Sequence, residues 1–160
     1  MKNLNRFFVA AVLGLISAFG QSFTFENSST TLPIIIQAGT EVALESGIDF
    51  TSEEVEVGHP VDFFVRNNVT VNGKVVISAG TIATGEITRV EKAQQACRNC
   101  ENKCASMQVI VKSVQAVDGQ NIKLRATPIN IKASKPGFPA ELNIGQRVNA
   151  SVLNNTTVQL

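Results

Sequence analysis

The chain has 160 residues and a formal charge of +1, from 14 basic and 13 acidic side chains. So even a balance gives no broad electrostatic pull on nucleic acid or anionic lipid. Neither Trp nor Tyr is present, which removes the usual stacking platform for sugars and bases and leaves Val, Ile and Leu to build a core.

Residues 1–20 have the layout of a secretory signal peptide. Lys2 and Arg6 supply a positive start, and Phe7 to Ile16 form an almost unbroken apolar run. Ala18-Phe19-Gly20 then places small residues where cleavage before Gln21 requires them. The apolar run is shorter than the ~20 residues that cross a bilayer, and no later segment qualifies as a transmembrane helix. The expectation is an exported protein, periplasmic or extracellular, with outer-membrane association as an option. Residues 21–32, rich in Ser and Thr, read as a flexible leader, and residues 33–160 as a single β domain.

Pro33 to Gly39 begins the ordered region, and Gly39 to Val42 turns into a short strand. Ile48 to Val57 is an acidic, less regular connection. Val61, Phe63, Val65, Val69 and Val71 share one parity, so Val61 to Val71 reads as one long strand. Asp62, Phe64 and Arg66 fall on its opposite face. Asn72-Gly73 before Lys74 to Ile77 is a strong hairpin signal, because both turn residues tolerate positive φ. Ala79-Gly80 turns into a strand over Thr81 to Val90, and residues 91–106 form a cysteine-bearing loop. Met107 to Val117 alternates as a strand, Asp118-Gly119 reverses it into Asn121 to Ala126, and Ile129 to Ile131 adds a short edge strand. Lys135 to Pro139 is a turn.

Gly58 to Val71 returns as Gly145 to Val158, with seven of fourteen aligned positions identical. Each copy reads as a turn at Gly, an alternating strand and a turn at Asn-Asn, which suggests one strand–turn unit used twice. The spacing Pro33, Gly39, Val42 matches Pro139, Gly145, Val148 and predicts a second equivalent pair. Short strands at regular spacing with Gly turns predict an all-β fold, a small antiparallel barrel or sandwich with one cysteine-bearing loop that has fair helix formers.

Ile36 to Val42, Val57-Gly58, Val71 to Gly80, Thr84 to Thr88 and Val114 to Gly119 together carry a resemblance. Over roughly residues 33–126 the chain resembles a widespread group of small exported bacterial envelope proteins of unknown function. Their pattern runs Gly-Thr-x-Val, Val-Gly-Asp-x-Val, Asp-Gly-x-Val-Ile-x-x-Gly, Gly-x-Val-Thr, Val-Asp-Gly. More distantly, it is similar to the periplasmic β-barrel of the scaffold subunit of type IV secretion channels. The resemblance implies a β fold in the cell envelope and says little of activity, since the shared residues are mostly turn glycines. This chain departs from the pattern at His59, where an acidic residue is usual, and in its three-cysteine loop, which is usually glycine-rich. The membrane-inserting helical segment of the channel subunits has no counterpart here.

Cys97, Cys100 and Cys104 form the one chemically loaded cluster. On a helix spanning Ala93 to Ser106 the three thiols would share a face, which suits zinc or another soft metal. An exported protein meets an oxidising compartment, so one disulfide with a leftover thiol is the leading expectation. The leftover thiol also offers a route to a homo-oligomer. His59 is the sole imidazole and stands at a turn, where capping or solvent contact outweighs catalysis. Asp49, Glu53, Glu54 and Glu56 lack the spacing of a calcium loop and read as a solvated face. Asn27, Asn68 and Asn154 match the glycosylation pattern, which says little in a bacterial setting.

The expected function is therefore non-enzymatic: an exported envelope module working through contact with another envelope or secreted protein, not nucleic acid. The alternative is a metal or redox role at Cys97, Cys100 and Cys104. No other cofactor is expected. A hydrolase would need activity that depends on His59, Asp49 or Glu54.

Overall fold

The alternating segments become strands whose residues alternate between core and solvent. The computed structural model describes residues 32–93 and 104–160, so the first 31 residues, with the signal and most of the leader, and residues 94–103 lie outside it. Thirteen strands follow in chain order: β1 (Pro33–Ile36), β2 (Glu41–Ser46), β3 (Phe50–Thr51), β4 (Pro60–Val65), β5 (Val69–Val71), β6 (Lys74–Ile77) and β7 (Ile82–Glu91). After the cysteine-bearing segment come β8 (Ser106–Gln115), β9 (Asn121–Ala126), β10 (Ile129–Lys132), β11 (Glu141–Leu142), β12 (Arg147–Val152) and β13 (Thr156–Gln159). No helix occurs among the described residues.

Strands β2, β4, β7, β8, β9 and β12 pair antiparallel in that order, and β12 closes on β2. The result is a six-stranded up-and-down barrel in which every strand pairs on both sides over at least part of its length. Of the two expected architectures, the barrel is the one formed. Ribbons β1–β13 and β5–β6 sit at one pole, and ribbon β3–β11 at the other. The inward row includes Val42, Leu44, Val61, Phe63, Val65, Ile87, Val109, Val114, Ile122 and Val152, all buried. Each such side chain contributes about 1.5–3 kcal/mol by leaving water.

The repeat is real in three dimensions. Gly58 N–H donates to Ile87 O, and Gly145 N–H to Ser46 O, both at 2.8 Å. Val65 N–H donates to Thr81 O and Val152 N–H to Thr40 O, both at 2.9 Å. Asn68 Oδ1 accepts from Ala79 N–H, and Asn155 Oδ1 from Ala38 N–H, both at 2.7 Å. Ala79 and Ala38 lead into Gly80 and Gly39, whose φ values of 81° and 87° are positive. Thus the unit is larger than fourteen residues: β4–β5 with β6–β7 matches β12–β13 with β1–β2, and Leu32 and Leu160 fall where the other copy has its Asn72-Gly73 hairpin.

Three expectations change. Val61 to Val71 is not one strand: it divides into β4 and β5, in different sheets, because the Asn67-Asn68 turn intervenes. Its faces stand for Val61, Phe63, Val65 and Val69, which are buried, and for Asp62 and Phe64, which are exposed, whereas Val71 and Arg66 are both half-buried. The match between Gly39 and Gly145 fails, since their hydrogen bonds pair Gly39 with Gly80 and Gly145 with Gly58. The acidic connection contains β3, whose two residues pair with β11. Leu32, at the end of the expected leader, donates to Leu160 O at 2.9 Å.

Candidate functional site

The pole bearing β3–β11 gathers most of the residues singled out from the sequence. Here β2 and β7 end, and β4, β8 and β12 begin. Turn Glu56–His59 leads into β4 and turn Asn143–Gln146 into β12. Each closes with an i to i+3 bond, His59 N–H to Glu56 O at 3.1 Å and Gln146 N–H to Asn143 O at 3.2 Å. Gly58 and Gly145 hold φ of 91° and 78° at the third position, which frees the second residue to stand outward. Those second residues are Val57 and Ile144, exposed to 65% and 67%. Phe138, on the turn between β10 and β11, is exposed to 58%.

The polar groups around them are largely committed to holding the pole together. Glu54 Oε2 accepts from Thr51 N–H at 2.8 Å and from the Thr51 hydroxyl at 2.9 Å. The backbone bond, then the hydroxyl, hold its carboxyl below the ordinary value. Glu53 Oε1 accepts from Ala93 N–H at 2.7 Å, and Glu53 O from Lys92 Nζ at 3.3 Å, which anchors the start of the cysteine-bearing segment. Ser52 is buried, donates its N–H to Ala140 O at 2.9 Å, and its hydroxyl accepts from Ala140 N–H at 3.1 Å. No buried side-chain polar atom among the described residues lacks a partner.

His59 is exposed, and its ring meets the buried Phe50 ring edge-on at 5.9 Å. That contact is packing, and among the described residues no carboxylate pairs with the imidazole. Asp49, Glu54 and Glu141 line a depression of 190 Å³, and Glu141 also borders one of 240 Å³ with Lys132 and Phe138. Cys97 and Cys100 lie outside the described residues, so their metal or disulfide roles do too. Cys104 is half-buried against the core just before β8, in a non-helical segment. Among the described residues no group of three or more His, Cys, Asp or Glu is placed to hold a metal ion. Asn68, a glycosylation-pattern residue, uses its carbonyl oxygen as the turn cap described above.

Sequence reading passed over Val57 and Ile144. The signal was present, since an aliphatic residue precedes the first Gly in both copies of the repeat. No known protein family matches this chain, and no characterised protein sequence matches it. Among the described residues the pole presents an apolar-tipped surface built on two equivalent turns.

Proposed function

We propose that the protein is a non-enzymatic exported module of the cell envelope that works by protein–protein contact through this pole. One observation carries the reading. Val57 and Ile144 stand on equivalent turns of the repeat, each exposed by about two thirds, with Phe138 at the same pole. Loops positioned by a scaffold of paired strands are where recognition commonly sits, and apolar side chains exposed on them are free to pack against a partner. The apolar start of the chain and its resemblance to small envelope proteins support the location.

Site-specific photo-crosslinking in cells tests the proposal. A crosslinker at Val57 or Ile144 should capture one defined protein, and Val57→Asp with Ile144→Asp should abolish capture. The same probe at Ile82 on the barrel wall should capture nothing. Equal capture from all three positions, or from none, would refute the contact face.

A further inference from the structure

The barrel wall contains a short unpaired strand edge beside a polar groove. β9 follows β8 through Lys123, then leaves it to pair with β12 at Leu124, Arg125 and Ala126. Thr127-Pro128 then breaks the strand, because Pro128 has no N–H to give a ladder. When β10 resumes along β8, the pairing has shifted by two residues. The break therefore strips β12 of its neighbour along its first half.

The direction of that bare edge follows from the ladder. Ser46 N–H donates to Gln146 O, and Val152 N–H donates to Thr40 O, so even-numbered residues of β12 bond to β2. The N–H and C=O of Arg147, Asn149 and Ser151 point the other way. Ser151 meets Arg125 of β9, whereas Arg147 and Asn149 meet no strand there among the described residues. Beside them opens a groove of 390 Å³, lined by Glu41, Arg125, Thr127, Pro128, Asn149 and Ser151.

The charge around this edge is one-sided. Lys123, Arg125 and Arg147 are exposed on the outer face of β9 and β12, and none has a carboxylate within 4.0 Å among the described residues. Among the described residues the groove lining holds one cation, Arg125, and one carboxylate, Glu41, with Lys123 and Arg147 flanking it; Glu45, across the ladder from Arg147, lies 3.6 Å from Arg66. The excess of unpaired cations, next to open backbone donors and acceptors, favours an extended anionic chain over a neutral one.

We propose that the groove docks an extended acidic peptide segment of a partner protein, added as a strand along β12 at Arg147 and Asn149. A peptide residue opposite Asn149 points outward, as Asn149 does, and its carboxylate lies on the face of Arg125. The site lies on the barrel wall next to the pole, uses the β12 backbone and Arg125 and not Val57 or Ile144, and stands whether or not those two bind a partner.

Fluorescence anisotropy on the full chain, with a labelled peptide of alternating Thr and Glu, tests the assignment. The peptide should bind, and Arg125→Glu should weaken it by about tenfold or more. N-methylation of alternate peptide residues should cause a similar loss, because it blocks ladder bonds while keeping every charge. Exchange of the Arg147 and Asn149 amides should slow in the complex. Failure to bind, or equal binding by the N-methylated peptide, overturns the proposal. A single-stranded oligonucleotide that binds as tightly and responds equally to Arg125→Glu also overturns it, in favour of plain polyanion attraction.

Discussion

In the copy of the repeat built on β4 and β7, Phe63 faces Ala83 and Val61 faces Gly85. In the copy built on β12 and β2, Ala150 faces Val42 and Val148 faces Leu44. The large side chain stands on the first strand in one copy and on the second strand in the other. Gly85 shows how tightly this is enforced: a Cβ there would lie 2.5 Å from Ile110 O and 2.9 Å from the Phe63 ring. The two halves fill the barrel with opposite choices while repeating the same turns and hydrogen bonds. Backbone geometry is thus held by Gly, Asn and the flanking Val, and interior volume is balanced locally.

The largest test of that equivalence places a charge at matched interior positions. Val65 and Val152 are each 2% exposed and end the matched strands. Val65→Asp and Val152→Asp should each cost more than about 3 kcal/mol, because an unpaired carboxylate would enter the core. Arg66→Asp loses one half-exposed contact with Glu45, at 3.6 Å, and should stay within about 1 kcal/mol. Urea unfolding measures all three. If only one of the two Val variants unfolds the protein, the copies do not share the core equally.

Gly85→Ala breaks the asymmetry directly and should destabilise by about 1–3 kcal/mol through overpacking. Adding Phe63→Ala should not restore the loss, since the nearer obstacle is the Ile110 backbone carbonyl. Full rescue in thermal unfolding would mean that the ring alone sets the limit. The Asn caps test the opposite side of the comparison, what the copies share. Asn68→Ala and Asn155→Ala should each cost about 1 kcal/mol, and by similar amounts, since each leaves one backbone N–H without its acceptor. A twofold or greater difference would show that the shared turn carries unequal strain in the two copies.

Much of this architecture was legible because the physics is local. Alternation marked Val61, Phe63 and Val65, and Asn72-Gly73 adopts positive φ at both positions, 51° and 77°, as its hairpin requires. The repeat marked the Asn67-Asn68 turn, yet parity carried the strand across it to Val71, because Val69 is buried too, though in a ribbon rather than the barrel. Two-residue strands such as β3 and β11 carry no period to detect and exist through tertiary pairing alone. The apolar tips of the pole were only half visible: Val57 and Ile144 look like ordinary core aliphatics until Gly58 and Gly145 turn them outward. The wall groove depends on a shift across Pro128 between distant strands, which no local pattern encodes.

The third strand pair, β8–β9, sharpens the comparison because it keeps the closing bond and drops the ribbon. Ala116 N–H donates to Gln120 O at 2.8 Å, as Val65 does to Thr81 and Val152 to Thr40. In place of a ribbon, Asp118 ties its turn to the C-terminal strand: Oδ2 accepts from Gln159 N–H at 2.9 Å and Oδ1 from Gln120 N–H at 3.0 Å. The Gln159 bond, then the Gln120 bond, hold the Asp118 carboxyl below its ordinary value of 3.8. A carboxyl with a lowered folded pKa stabilises the fold above its unfolded pKa and loses that contribution as pH falls through the folded value. Asp118→Asn retains one acceptor oxygen and no charge, so at neutral pH it should cost less than about 1 kcal/mol at this exposed site. The gap between the two proteins should begin to narrow as pH drops below the ordinary value of 3.8, and vanish once it has fallen through the lower value of the folded carboxyl. Comparing their unfolding midpoints across that range isolates Asp118 from Glu54, which titrates alike in both. A gap that stays constant through the acid range would show that the staple works by shape and not by charge.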